Sequence, residues 1–332
     1  MKYRILVAGG AGYIGSHMAD FLKKEGYDVV VLDNLSTGHR EAVLDAEFVE
    51  GDLGDKNLLA QLFKQHQFDA VMHFAAFTQV GESVNHPAKY YHNNVCNTLN
   101  LLDAMLQAKV KNFIFSSSAA IFGNPKYTLI DVEHPQNPIN PYGKTKLMVE
   151  QILDDYDRAY GLKSVCLRYF NAAGADPDGR IGELREAETH LIPLVLQAAS
   201  GRKNNIKIFG RDYDTKDGTC VRDYIHVTDL CDAHLLALQN LLKNSISKKY
   251  NLGNGNGFSV QEVIDVAKQV TDKQIKVVDA PRRAGDPAIL IADMALAKQE
   301  LNWQPKYADL ATIIKHAWQW ESNLTQRGFG NE

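Results

Sequence analysis

The stretch Arg4–Leu22, RILVAGGAGYIGSHMADFL, decides the fold. A short apolar run ends in Gly9-x-x-Gly12-x-x-Gly15, and a helix-length apolar pattern begins inside the triplet. This predicts a strand over Tyr3–Ala8, a tight turn, and a helix over Ile14–Glu25. The first glycine allows the turn, the second lets a pyrophosphate approach the backbone, and the third lets helix and strand pack closely. The helix N-terminus offers free N–H groups and partial positive charge to phosphate. The next strand, Asp28–Asp33, ends on a carboxylate 24 residues after Gly9. Asp33 can accept hydrogen bonds from the adenosine ribose hydroxyls and would repel a 2′-phosphate, which favours NAD over NADP; Arg40, close in sequence, is the one cation that pulls the other way. Gly51-Asp52 ends a further strand placed to meet the adenine.

Working outward, short β-branched runs alternate with helical patterns. Strands are expected at Glu47–Gly51, Asp69–Phe74, Asn112–Ser117 and Lys163–Tyr169, and helices at Lys56–His66, Ala88–Ala108 and Gly143–Tyr160. The runs VVVLD, AVMHFAA and NFIFSSS are apolar throughout, as in strands covered on both faces. The expected class is α/β, a Rossmann-type doubly wound parallel sheet. Beyond about residue 170 the rhythm fails. Asn171–Glu188 and Gly210–Gly218 read as loops, with a helix at Asp229–Leu242 and a strand at Lys249–Gly253 between weaker signals. Residues 1–170 are read as the NAD-binding domain with the catalytic groups. Residues 171–332 are read as a smaller substrate-binding lobe, interleaved with the first.

The 332 residues are 45% hydrophobic, enough for a large core, and carry a net charge of −4 with no basic block. No nucleic-acid surface is expected. Cys96, Cys166, Cys220 and Cys231 form no C-x-x-C pair and read as free thiols in a reducing compartment. The N-terminus lacks a signal-peptide pattern, and no apolar run approaches the roughly 20 residues that span a bilayer. The expectation is a cytoplasmic globular protein without a membrane partner.

Tyr142-Gly143-Lys144-Thr145-Lys146 contains Tyr-x-x-x-Lys at a helix start, which puts Tyr142 and Lys146 one turn apart on one face. A phenol titrates near pH 10 and is a poor base at neutrality. A nearby ammonium and the positive nicotinamide ring of oxidised NAD both favour the phenolate, which can then take the proton of a substrate hydroxyl as hydride leaves the same carbon. Ser116-Ser117-Ser118 ends a strand 24 residues before Tyr142, where ligands bind in such sheets. Ser118 is chosen as the hydroxyl that bonds the reacting oxygen. No metal site is read.

Together these elements resemble the extended short-chain dehydrogenase/reductase family, in its UDP-glucose 4-epimerase branch. The resemblance runs along nearly the whole chain: GGAGYIGSH (9–17), HFAA (73–76), VGES (80–83), FSSSAAIFG (115–123), NPYGKTKLMVE (140–150), LRYFNAAGA (167–175), DGTCVRDYIHV (217–227) and RRAGDP (282–287). It implies that Tyr142 is the base, that Lys146 orients it and the nicotinamide ribose, and that Ser118 contacts the sugar O4. It adds Tyr13, Ile14, Asn34, Leu53, Phe74, Ala75, Ala76, Asn93, Ser116 and Tyr169 to the NAD cleft. Asn171, His190, Leu191, Arg222, Arg283, Asp286 and Leu290 are implied to hold the UDP-hexose. Two arginines from distant segments also suit a diphosphate on chemical grounds. The implied reaction is reversible C4 epimerisation of UDP-glucose and UDP-galactose through a 4-keto sugar with tightly held NAD.

Three positions depart from the family pattern: Thr78 stands where a lysine is expected, His190 where many members have asparagine, and Leu290 where a bulky tyrosine is frequent. The smaller leucine points to N-acetylated UDP-hexosamines as further substrates. The nearest rival, a nucleotide-sugar 4,6-dehydratase, needs an acid–base pair after the strand-end hydroxyl, where this chain has Ala119-Ala120. A uronate 4-epimerase needs a cation near the sugar C6. A binding module without turnover would leave Ser118, Tyr142 and Lys146 without a use. By analogy with the family, the helices Ala88–Ala108 and Gly143–Tyr160 form a homodimer face.

Overall fold

Seven parallel strands, in the order β11-β7-β5-β4-β1-β2-β3, form the platform of the molecule. The computed structural model describes residues 2–283 and 286–326. The first half of the chain gives β1 (Arg4–Ala8), α1 (Tyr13–Lys24), β2 (Asp28–Asp33), β3 (Glu47–Glu50), α2 (Lys56–Gln65), β4 (Ala70–His73), α3 (Val80–Asn85), α4 (Pro87–Tyr91), α5 (Asn97–Gln107), β5 (Asn112–Ser118), β6 (Leu129–Ile130), α6 (Pro141–Tyr160) and β7 (Lys163–Tyr169). The second half gives β8 (Asn171–Ala173), α7 (Leu191–Ser200), β9 (Ile206–Phe209), β10 (Val221–His226), α8 (Val227–Asn244), β11 (Lys248–Leu252), β12 (Gly257–Ser259), α9 (Val260–Thr271), β13 (Val277–Ala280), β14 (Ile289–Ala292), α10 (Ala295–Leu301) and α11 (Leu310–Gln326).

Strand β1 shows why these runs are apolar throughout. Ile5 and Val7 pack on one face of the sheet with Met18 and Leu22 of α1, while Leu6 and Ala8 pack on the other with Leu59 and Leu62 of α2. With both faces covered, an alternating pattern would bury polar side chains, so none is seen. The chain winds outward from β1 through β2 to β3, then restarts beside β1 at β4 and winds the other way. That reversal opens a crevice beyond the strand ends, where ligands bind in sheets of this kind.

The second half crosses the first twice. β11 lies beside β7 at the edge of the large sheet, and β6 leaves the first half to pair with β14. Around β10 a smaller sheet gathers β12, β14 and β8, backed by a separate core that includes Ile192, Val263 and Ile313. The buried Asp223 carboxylate on β10 joins these pieces: it accepts the N–H groups of Asn254 at 2.6 Å and Ala292 at 3.0 Å.

Two expectations are corrected. The helix read across Ala88–Ala108 runs from Pro87 to Gln107 but is not α-helical throughout, because His92–Cys96 forms a π-turn between α4 and α5. The wider turn directs Asn94 inward, where it receives the Phe77 N–H at 3.0 Å and donates to the Phe77 carbonyl at 3.0 Å. The loop read at Asn171–Glu188 opens with β8, paired to β10. Three residues are too few to display a strand period.

One buried ion pair fastens α6 to the sheet. Arg168 on β7 donates to Glu150 on α6 through Nη2 at 2.6 Å and Nε at 3.0 Å, with side chains 1% and 0% exposed. Removing one partner strands the other charge in the interior. Arg168→Met is therefore expected to cost about 3–5 kcal/mol of unfolding free energy, measured by denaturant titration; a cost within experimental error of zero contradicts this.

Candidate active site

Ser118, Tyr142 and Lys146 come together around one cavity of about 960 Å³. Ser118 ends β5 and caps the short turn Ala119–Phe122, its hydroxyl accepting the Ala120 N–H at 3.1 Å. Helix α6 begins against this turn. Asn140 caps it by accepting the Gly143 N–H at 2.8 Å, and Pro141 fills its first position. A Cβ at residue 143 would stand 2.4 Å from the Ala120 carbonyl oxygen, so only glycine permits the approach. The approach brings the Ser118 hydroxyl beside the Tyr142 phenol.

Lys146, one turn beyond Tyr142, is tied to the neighbouring strand. Its Nζ donates to the Ser116 carbonyl at 2.8 Å and lies 5.9 Å from the Tyr142 ring centre. Burial pulls the ammonium down to about 7, opposed by the Glu150 charge. Burial also pushes the Tyr142 phenol up; the Ser118 hydrogen bond and the Arg185 charge work against it. Lys146 uses one of its three donors on the strand carbonyl and stays within reach of the phenol ring.

The turn between β1 and α1 fits a dinucleotide. Gly9 has φ +78°, and a Cβ there would stand 2.3 Å from the Ala75 nitrogen. A Cβ on Gly15 would stand 2.1 Å from the Gly9 carbonyl oxygen, whereas the nearest atom to one on Gly12 is 3.5 Å away. The outer two glycines are packed shut and the middle one has space. No side chain caps the start of α1, which leaves its first N–H groups for a ligand. Asp33, buried, accepts the N–H groups of Ala11 at 2.9 Å and Leu35 at 2.8 Å, and so also shapes the turn. Arg40 donates to the Val43 carbonyl at 3.1 Å, lies over the Phe48 ring and does not line the cavity. The negative charge of Asp33 is therefore not offset by Arg40, which fits NAD better than NADP.

Of the residues assigned to catalysis, cofactor or substrate from the sequence, all but Ser116 and Leu191 line this cavity. Gly9, Gly12, Tyr13, Ile14 and Gly15 come from the β1–α1 turn, and Asp33, Asn34, Asp52 and Leu53 from beyond β2 and β3. Phe74, Ala75, Ala76, Asn93 and Tyr169 join them, as do Asn171, His190, Arg222, Arg283, Asp286 and Leu290. Arg222 and Leu290 stand opposite each other on β10 and β14, and Arg222 bonds Asp286. Ser116 is one pleat below Ser118 and outside the lining: its hydroxyl lies 3.4 Å from His234 Nε2, and its carbonyl accepts from Lys146. Leu191, the first residue of α7, packs into the core of the smaller lobe.

The sequence profile of the NAD dependent epimerase/dehydratase family matches residues 5–253. The chain belongs to this family. It is 54% identical to a UDP-glucose 4-epimerase of Halalkalibacterium halodurans over 95% of each chain. Its structure is similar to the crystal structure of the Brucella ovis UDP-glucose 4-epimerase in complex with NAD, with TM-score 0.93, 51% identity, and 95% and 97% of the two chains covered. It is also similar to the UDP-Glc/GlcNAc 4-epimerase of Campylobacter jejuni, with TM-score 0.86, 47% identity, and 97% and 99% covered.

In this epimerase/dehydratase chain the sequence reading passed over Asn94, Glu183 and Arg185. Asn94 steadies the wall after β4 through Phe77 and reaches Thr145 of α6 at 3.2 Å. Glu183 and Arg185 lie in the segment Asn171–Glu188, read from the sequence only as a loop. His190 sits with them: its Nδ1 is 2.8 Å from Glu188 and 3.2 Å from Glu183. The ligating atoms of these three residues lie within 4.8 Å of one another, yet the imidazolium and Arg185 already balance the two carboxylates.

Burial pulls the His190 imidazole down, but the carboxylates outweigh it, Glu183 foremost, and push it up to about 10. A value raised above the free 6.5 contributes stability that is whole below pH 6.5 and is lost as pH rises through about 10. His190→Asn is therefore expected to melt below the wild type at pH 6 and alongside it at pH 10.5. An equal gap at both pH values contradicts the pairing.

Proposed function

We propose that this protein interconverts UDP-glucose and UDP-galactose by reversible epimerisation at C4, with NAD retained between turnovers. The observation that carries the reading is the convergence of the Ser118–Tyr142–Lys146 cluster, the open phosphate turn and the guanidinium groups of Arg222 and Arg283 on a single cavity. A hydroxyl–phenol pair alone suits many alcohol oxidations. Two arginines in the same cavity add the means to hold a diphosphate.

When bound, the nicotinamide accepts hydride from C4 and returns it to the opposite face of the 4-ketone. Tyr142 takes the proton of the 4-hydroxyl and gives it back, a transfer that its burial would oppose without Ser118 and Arg185 beside it. Ser118 bonds O4. Lys146, fixed on the Ser116 carbonyl, holds the cofactor's ribose near the phenol. Asp33 takes the adenosine ribose, and Asn171, His190, Arg222, Arg283 and Asp286 hold the UDP portion. The hexose meets Leu290, which packs with Ile121, Phe122 and Ile130 and is smaller than the tyrosine frequent at this position, which favours acceptance of an N-acetyl group. Four free cysteines fit a cytoplasmic location, and the α5 and α6 helices, with Met148 and Tyr160 exposed on α6, fit a homodimer face.

The test is to incubate the purified protein with UDP-galactose, without added cofactor, and follow the sugar by NMR. UDP-glucose is expected to form, and Tyr142→Phe is expected to stop it. UDP-N-acetylglucosamine is expected to react with the wild type, while Leu290→Tyr loses that activity and keeps the hexose reaction. No UDP-galactose conversion even with added NAD would remove the main reading; conversion of the plain hexose alone would remove the extension.

A further inference from the structure

Beyond the residues implied by the family resemblance, one cation at the cavity wall has donors to spare. Arg185 lies between β8 and α7, with Nε donating to Glu183 Oε1 at 2.8 Å. Its Nη1 is 3.5 Å from Thr78 Oγ1, a loose contact, and among the described residues nothing holds Nη2. The Arg185 side chain is 25% exposed and that of Glu183 only 6%. The carboxylate is thus a buried support that fixes the guanidinium, with its remaining N–H groups left for something in the cavity.

The neighbours say what part of the cavity this is. Thr78 follows β4, the strand that runs beside β1, and Tyr13 opens α1 at the phosphate turn. The Arg185 charge acts on both Tyr13 and Tyr142. Arg185 and Thr78 line the same cavity as Gly12 and Ile14 of the phosphate turn and the Tyr142 phenol. The phosphate-bearing link of a dinucleotide must cross that ground if its adenosine sits by Asp33 and its nicotinamide by Tyr142.

We propose that Arg185 is a phosphate-binding residue for the dinucleotide, meeting a pyrophosphate oxygen with the donors that Glu183 leaves free. This rests on the dinucleotide reading above. A planar fork on a fixed support suits a phosphate oxygen, and the bond is charge-assisted. A purely structural Arg185 would serve only to tie its loop to Glu183.

The two roles separate in a measurement that needs no sugar. The holoenzyme is mixed with excess NADH, and exchange of the bound nucleotide is followed by nicotinamide fluorescence at several salt concentrations. Arg185→Gln is expected to exchange about tenfold faster or more, the scale of one charge-assisted hydrogen bond, and with a weaker dependence on salt. Adding Thr78→Lys to Arg185→Gln, which returns a cation from the facing residue, is expected to slow exchange again. Exchange within twofold of the wild type in Arg185→Gln overturns the proposal, as does a double variant no slower than the single one. Should Arg185→Gln fail to fold, Arg185→Lys keeps the charge and loses the fork: faster exchange than the wild type with the salt dependence retained is expected, and exchange within twofold of the wild type overturns the proposal. Failure of UDP-hexose turnover leaves this result standing, whereas a wild type that holds no NAD or NADH overturns both readings.

Discussion

The buried contact between Glu150 and Arg168 is the interaction on which the catalytic geometry depends. Glu150 lies on α6 one turn beyond Lys146 and two beyond Tyr142, and it gathers partners from three neighbouring strands. Arg168 binds it from β7, Ser117 donates to it from β5 at 2.5 Å, and Lys249 of β11 approaches to 3.8 Å. Ser117 points to this side of the sheet, so Ser116 and Ser118 point to the other by strand alternation. One carboxylate thereby fixes the azimuth of α6 and the register of the strand that carries its catalytic partner. The same charge counters the burial that pulls the Lys146 ammonium down.

From that anchor the rest of the site follows in order. With α6 fixed, Gly143 can lie against Ala120, and the phenol meets the hydroxyl of Ser118. The reversal of winding between β1 and β4 places the phosphate turn beside these groups. The smaller lobe then closes the cavity with Arg222 and Leu290, held in register on β10 and β14. The large sheet and α6 bring Ser118, Tyr142 and the phosphate turn to the cavity, and the smaller lobe brings Arg222 and Leu290.

Much of this was legible in the sequence, for physical reasons that also explain the rest. The strands β1, β2, β4 and β5 are covered on both faces, so their apolar runs are unmistakable. The glycine triplet and the Tyr142–Lys146 spacing are local constraints, visible without tertiary contacts. The smaller lobe is built from strands of two to six residues, too short for periodicity to speak. The π-turn exists because Asn94 is drawn toward Phe77, a contact distant in sequence. The carbonyl partner of Lys146 and the Glu183 support of Arg185 are likewise tertiary, so no local spacing shows them.

The account turns on one hydrogen leaving C4 and returning to C4, while the proton on O4 passes through Tyr142. The most direct test is to convert UDP-galactose carrying deuterium at C4 in ordinary water and to locate the label in the UDP-glucose product by NMR. Retention of the deuterium at C4, with no solvent hydrogen there, is predicted. Replacement of the label by solvent hydrogen would show that the centre is deprotonated rather than oxidised, and would contradict the account.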